Sequence, residues 1–131
     1  MQISASVKSS LHHHETNVAT NGASKEIAIA SKESGYGSSV NGGELLLLAL
    51  ATCFCNDIYR EAAKRNIAVT HVKVEVNADF GATGEAGKNF IYRANVTADA
   101  SDAEIAALIR ETDKVAEIQN TLRKGVKIDL V

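Results

Sequence analysis

Two thiols, a handful of acids and a string of imidazoles are the residues of this chain that could do chemistry. Cys53 stands inside Glu44-Leu-Leu-Leu-Leu-Ala-Leu-Ala-Thr-Cys-Phe-Cys-Asn-Asp57, the most apolar stretch of the sequence. A cysteine attacks only as thiolate, and an apolar setting raises its pKa. Glu44 precedes it by roughly 13 Å of helix at ~1.5 Å per residue. The field of a helix start fades within its first turn, so the dipole of this helix cannot activate the sulfur. Asp57 falls on the same face one turn later and opposes a thiolate, and Arg60 shares that stripe two turns off. Cys53 is therefore either a reactive thiol whose activator the sequence does not display or a core cysteine. Cys55 is a poor partner for it. Two helical positions turn by about 200°, which points the thiols apart, and a disulfide needs convergent Cβ vectors.

His12-His13-His14 invites a metal reading. On a strand, His12 and His14 share one face, and His71 could add an imidazole suited to zinc or copper. No cysteine or carboxylate with ligand spacing joins them, so an exposed polar turn is the simpler reading and no metal or other cofactor is expected. Glu44 complements the dipole as a helix-start acid and could also orient a neighbouring group. Asp57, Arg60, Glu61 and Lys64 form opposite pairs at i,i+3, the pattern of a solvated or interfacial helix face.

The elements that must position these groups follow from periodicity. Ile3, Ala5 and Val7 alternate as a strand. Thr16 to Thr20 and Lys25 to Ala30 flank Asn21-Gly22, a dipeptide that accepts positive φ at both hairpin positions. Ser34 to Gly43 is a Gly/Ser-rich loop, and Glu44 to Asn66 reads as one long helix. Ile67 to Phe80 and Phe90 to Thr97 alternate around a glycine-bearing turn at Gly81 to Gly87. Ser101-Asp-Ala-Glu104 is a capping box opening an amphipathic helix through Ile105, Leu108, Ile109 and Thr112. A short helix over Val115 to Leu122 precedes Gly125, and Val126, Ile128 and Leu130 alternate as a terminal strand. Hairpins predominate, so the class is α+β with a mostly antiparallel sheet.

Composition sets the outer bounds. The 131 residues are 45% hydrophobic and 23% charged, which predicts one domain over residues 1–131. The formal net charge is −2 and no basic stripe interleaves with aromatics, which argues against nucleic acid and anionic membrane as partners. No charged segment followed by an apolar one opens the sequence, and Leu45 to Ala51 is far too short to cross a bilayer. Two cysteines one residue apart make no disulfide framework, so a reducing cytoplasm is the expected setting. A helix this oily in so small a domain is buried most easily with a second subunit.

Two segments resemble the OsmC/Ohr family, the osmotically inducible and organic-hydroperoxide-resistance proteins. Glu44-Leu-Leu-Leu-Leu-Ala-Leu-Ala-Thr-Cys53 is similar to the family's helix, and Asn120-Thr-Leu-Arg-Lys-Gly-Val-Lys-Ile-Asp-Leu130 to its C-terminal segment. The resemblance implies an intertwined homodimer whose long helices lie between sheets built by both subunits. It implies reduction of organic hydroperoxides, with Cys53 at the attacking cysteine's position and Glu44 near that of a charged partner. The family's second cysteine matches Ala116, ungapped alignment of the charged partner falls on Gly43, and no arginine occurs upstream of Arg60. A sulfenic acid on Cys53 would thus need an external small thiol. The alternative is a non-catalytic dimer that binds a small hydrophobic ligand or serves as an interaction scaffold.

Overall fold

The computed structural model describes all residues from Met1 to Val131. Its architecture is α+β, in the order of three strands, a long helix, two strands and two helices. The chain forms two compact units, Met1–Leu45 and Leu46–Val131.

The first unit is an antiparallel sheet of β1 (Ile3–Ser10), β2 (His13–Thr20) and β3 (Ala23–Glu26). Thr20 pairs with Ala23 across Asn21-Gly22, which take φ of 49° and 81°. That is the positive-φ pair a two-residue hairpin favours. β3 ends at Glu26, earlier than the alternation through Ala30 predicts. The Ile27 N–H still reaches the Thr16 carbonyl at 3.2 Å, after which the chain leaves the sheet. Ala30 to Ser39 then closes a loop in which Ser31 bridges Ser38 and Gly35 and Gly37 take positive φ.

Helix α1 runs from Gly42 to Lys64, starting and ending two residues before the predicted bounds. The start moves because Asn41 is the cap. Its side-chain oxygen accepts from the Glu44 N–H at 2.9 Å, and the Glu44 carboxylate accepts from the Asn41 N–H at 2.8 Å. These reciprocal bonds satisfy two orphan donors. The end moves because Asn66 adopts φ 54°, with Ile67 N–H on the Ala62 carbonyl and Asn66 N–H on that of Ala63. This is a Schellman termination with asparagine in the left-handed position.

The second unit packs one stripe of α1 (Leu50, Phe54, Ile58 and Ala62) onto a hairpin of β4 (Ala68–Asp79) and β5 (Lys88–Asp99). Val72, Val74 and Val76 point inward from β4 opposite Val96, Ala94 and Tyr92 of β5. Phe54 meets Tyr92 edge-on with centroids 4.8 Å apart. Helix α2 (Asp102–Val115) opens with the Ser101/Glu104 capping box and buries Leu108 and Thr112. Helix α3 begins at Glu117, not at Val115, because Ala116 turns out of helical geometry at ψ 106°; it ends at Lys124.

The oily helix is covered on one face only: Leu48 is 59% exposed and Tyr59 44%. The predicted strand through Val126, Ile128 and Leu130 does not form, and Leu130 is fully exposed. A strand needs a neighbour for its backbone groups, and this segment has none in its own chain. By length and composition alone α1 would pass for a membrane span, with a mean hydropathy of 1.2 over its most apolar window. The short run Leu45 to Ala51 understates it.

Candidate functional site

Cys53 and Asp57 lie one turn apart on α1, and the thiol is 3.5 Å from the Asp57 carboxylate. Asp57 is buried at 4% exposure, whereas Cys53 is half-buried. Arg60 does not stay two turns away, as its place in the sequence suggests. Its guanidinium folds back to Asp57 at 2.8 Å and reaches Glu117 of α3 at 3.3 Å. The same guanidinium is fixed from below by buried Glu61, whose carboxylate accepts from Arg60 Nε at 3.1 Å. Glu61 also takes Lys64 at 2.8 Å and Arg65 at 3.3 Å. Lys64 first and Arg60 next hold the Glu61 carboxyl down at about 2.

The sulfur has a second neighbour that the sequence does not display. The backbone amide of Ile118, in the first turn of α3, is close enough to the sulfur to pull the Cys53 pKa down. That donor belongs to the orphan amides of a helix start, where partial positive charge favours an anion. α3 is held in place by the segment that resembles the family's C-terminus. Asn120 donates to the Lys114 carbonyl at 3.0 Å, and Arg123 grips the Asp113 carbonyl at 3.2 Å and its carboxylate at 2.6 Å. The Tyr92 hydroxyl donates to the same carboxylate, and burial followed by Asp113 pushes the phenol well above its ordinary range.

The electrostatic balance at Cys53 is against a resting thiolate. Burial pushes the thiol up, the Ile118 N–H opposes that, and Asp57 and Glu117 push it up further. Burial likewise pushes Asp57 up, with Arg60 pulling the other way. The sulfur and the carboxylates of Asp57 and Glu117 lie within 4.8 Å of one another, a spacing a divalent ion could bridge. The Arg60 guanidinium already bonds both carboxylates.

The other singled-out residues fall elsewhere. Glu44 sits in the capping box with Asn41. Cys55 is half-buried beside a shallow depression with Thr52, Asn56 and Val74. His12 occupies the turn between β1 and β2 at φ 59°, and His13 and His14 open β2, so His12 and His14 do not share a strand face. Ala116 is fully buried, two residues before the amide on Cys53. Glu117 and the Ile118 amide went unnoticed in the sequence. Their adjacency to Ala116, the position matched to a reactive cysteine, is the one signal that could have found them. A cavity of about 400 Å³ is walled by Leu46, Leu50, Phe90, Ile91, Tyr92 and Leu122, and neither Cys53 nor Asp57 lines it. Buried Gln119 borders it, donating to the Leu50 carbonyl at 3.0 Å while its side-chain oxygen has no partner.

The sequence profile of the OsmC-like protein family matches residues 35–131, and the chain belongs to that family. Solved structures share the fold at low identity. An OsmC-like protein from Mycoplasma pneumoniae is 17% identical with a TM-score of 0.63, over 92% of this chain and 87% of that one. An OsmC-like hydroperoxide resistance protein from Jannaschia sp. CCS1 is 21% identical with a TM-score of 0.58, over 96% and 87%. An organic hydroperoxide resistance protein from Vibrio cholerae, with captopril bound in one of its active sites, is 20% identical with a TM-score of 0.57, over 94% and 85%. No curated protein matches the chain.

Proposed function

We propose that this OsmC-like protein reduces organic hydroperoxides through Cys53, with a small external thiol as reductant. The observation that carries the reading is the setting of the sulfur. It is half-buried rather than sealed in the core, and the Ile118 amide at a helix start partly offsets the burial and the carboxylates that hold its proton on. The reaction oxidises Cys53 to a sulfenic acid with release of an alcohol. Two small thiols then return it to the thiol, yielding their disulfide and water. Ala116 stands where a resolving cysteine would be, so the second half of the cycle passes through the external thiol. A reducing compartment such as the cytoplasm supplies it.

In the same reading the chain works as a homodimer. The exposed outer face of α1, with Leu48 and Tyr59, and the unpaired tail are what a second copy would cover. Glu44 is the second candidate catalytic residue. Glu44→Gln keeps an acceptor for the helix cap, so a role in turnover requires that this change slow the reaction without lowering stability.

The test is turnover of cumene hydroperoxide by the full chain with an excess of a small monothiol. Sulfenic acid should be trapped on Cys53, and Cys53→Ser should abolish consumption. Peroxide that leaves Cys53 reduced would defeat the proposal. The cavity of about 400 Å³ favours the second reading, a non-catalytic dimer that holds a small hydrophobic ligand. On that reading Cys53→Ser leaves biological function intact.

A further inference from the structure

The site poses a problem that its own geometry answers. A nucleophilic sulfur needs to lose its proton, yet its surroundings hold the proton on: burial first, then two carboxylates, against one amide. Asp57 looks from the sequence like an obstacle, a negative charge beside a would-be thiolate. In the structure it is the acceptor nearest the S–H, with Oδ2 3.5 Å from the sulfur. Its other oxygen, Oδ1, is bonded by Arg60 at 2.8 Å. Arg60 in turn is held on Nε by Glu61, and the same Nη1 that bonds Asp57 also reaches Glu117. Nucleophile, acceptor and clamp thus stand at successive positions of one helical stripe (Cys53, Asp57 and Arg60), the arrangement in which a base is itself oriented by a third group.

Resting on the hydroperoxide reading above, we propose that Asp57 is the general base that takes the Cys53 proton and that Arg60 is the residue that positions it. As the sulfur attacks the terminal oxygen of ROOH, its proton passes to Asp57 Oδ2, the S–O bond forms and the O–O bond breaks. The alkoxide leaving group then takes that proton from Asp57 and departs as the alcohol. The net step converts Cys53–SH and ROOH to Cys53–SOH and ROH, with Asp57 returned to its starting form. The raised proton affinity of buried Asp57 suits it to this exchange, because a stronger base accepts more readily. Arg60 keeps one oxygen engaged, so the other faces the thiol.

The rival account, simple repulsion of a thiolate by Asp57, predicts the opposite sign. The experiment measures the rate of sulfenic acid formation at Cys53 with cumene hydroperoxide as a function of pH. It uses the full chain with Cys55→Ser throughout. The charged groups around the sulfur are Asp57 and Arg60 from α1 and Glu117 from α3. Asp57→Asn should slow the reaction near neutral pH by roughly 100-fold or more, the usual share of a general base. The gap should close at high pH, where solvent supplies the thiolate, a convergence that a merely structural role would not give. Arg60→Lys, which keeps the charge but loses the fork, should slow it in the same pH-dependent way and by less.

An Asp57→Asn rate equal to or above that of the parent at neutral pH overturns the proposal while leaving the hydroperoxide reading standing. A parent that never sulfenylates overturns both. Should Asp57→Asn fail to fold, Arg60→Lys decides, and an unchanged rate there sinks the relay.

Discussion

Ala116 shows how much a single side chain sets in this molecule. It is fully buried where α2 gives way to α3, two residues before the amide that meets Cys53. In the resemblance read from the sequence, and in the function proposed from it, the family's second cysteine corresponds to this position. Ala116→Cys should therefore allow internal resolution: after peroxide, a disulfide joins positions 53 and 116, and turnover accepts a dithiol. Intact mass before and after reduction checks this. A sulfenic acid that remains trappable on Cys53 in the variant would show that the position lies out of reach. The added sulfur should cost about 1 kcal/mol or more in overpacking, because the site is already full. Cys53 itself was legible as the residue to watch. Its environment was not, because the Ile118 amide carries no sequence signature and the distance to Glu117 depends on the bend at Ala116.

At the scale of the element, α1 carries two buried acids with opposite electrostatic histories. Glu61 is held down at about 2, chiefly by Lys64 and then Arg60. A depressed carboxyl contributes stability above its unfolded value of about 4.3, and that contribution is lost as pH falls toward 2. Glu61→Gln should flatten the decline of the urea midpoint across that acid window relative to the parent. Parallel declines in the two proteins would show that the ion pairs around Glu61 add nothing. Asp57 has the reverse sign. Its carboxyl is raised, so its ionised form is disfavoured in the fold, and Asp57→Asn should cost no midpoint at neutral pH.

The elements themselves were readable where local chemistry decides them. The Ser101/Glu104 box, the Asn21-Gly22 turn and the paired alternations of β4 and β5 fall where the sequence places them. The bounds of α1 slipped because Asn41 caps the start ahead of Glu44, and Asn66 leaves helical geometry in the left-handed region instead of closing the last turn. The i,i+3 pairs of Asp57 with Arg60 and of Glu61 with Lys64 form as spaced. Their face is part buried and not simply solvated, since pairing says nothing about what lies above it.

At the scale of the whole molecule, the terminal segment is the clearest departure from its pattern. Val126, Ile128 and Leu130 alternate with Lys127 and Asp129, yet the segment has no neighbour. Alternation reports a capacity to pair, and a single chain does not always hold the partner. If the homodimer proposed above uses this tail as an added strand, removing the residues after Lys124 should shift the protein toward monomer in sedimentation velocity. A truncated chain that sediments like the parent would show that the tail plays no part in assembly. The placement of Cys53, Asp57 and Arg60 on a single rod has a consequence for heat. Sites gathered from scattered loops drift out of alignment piecemeal on warming, whereas these three residues keep their mutual spacing until the rod uncoils, so under the relay proposed above, inactivation should track the loss of helical signal.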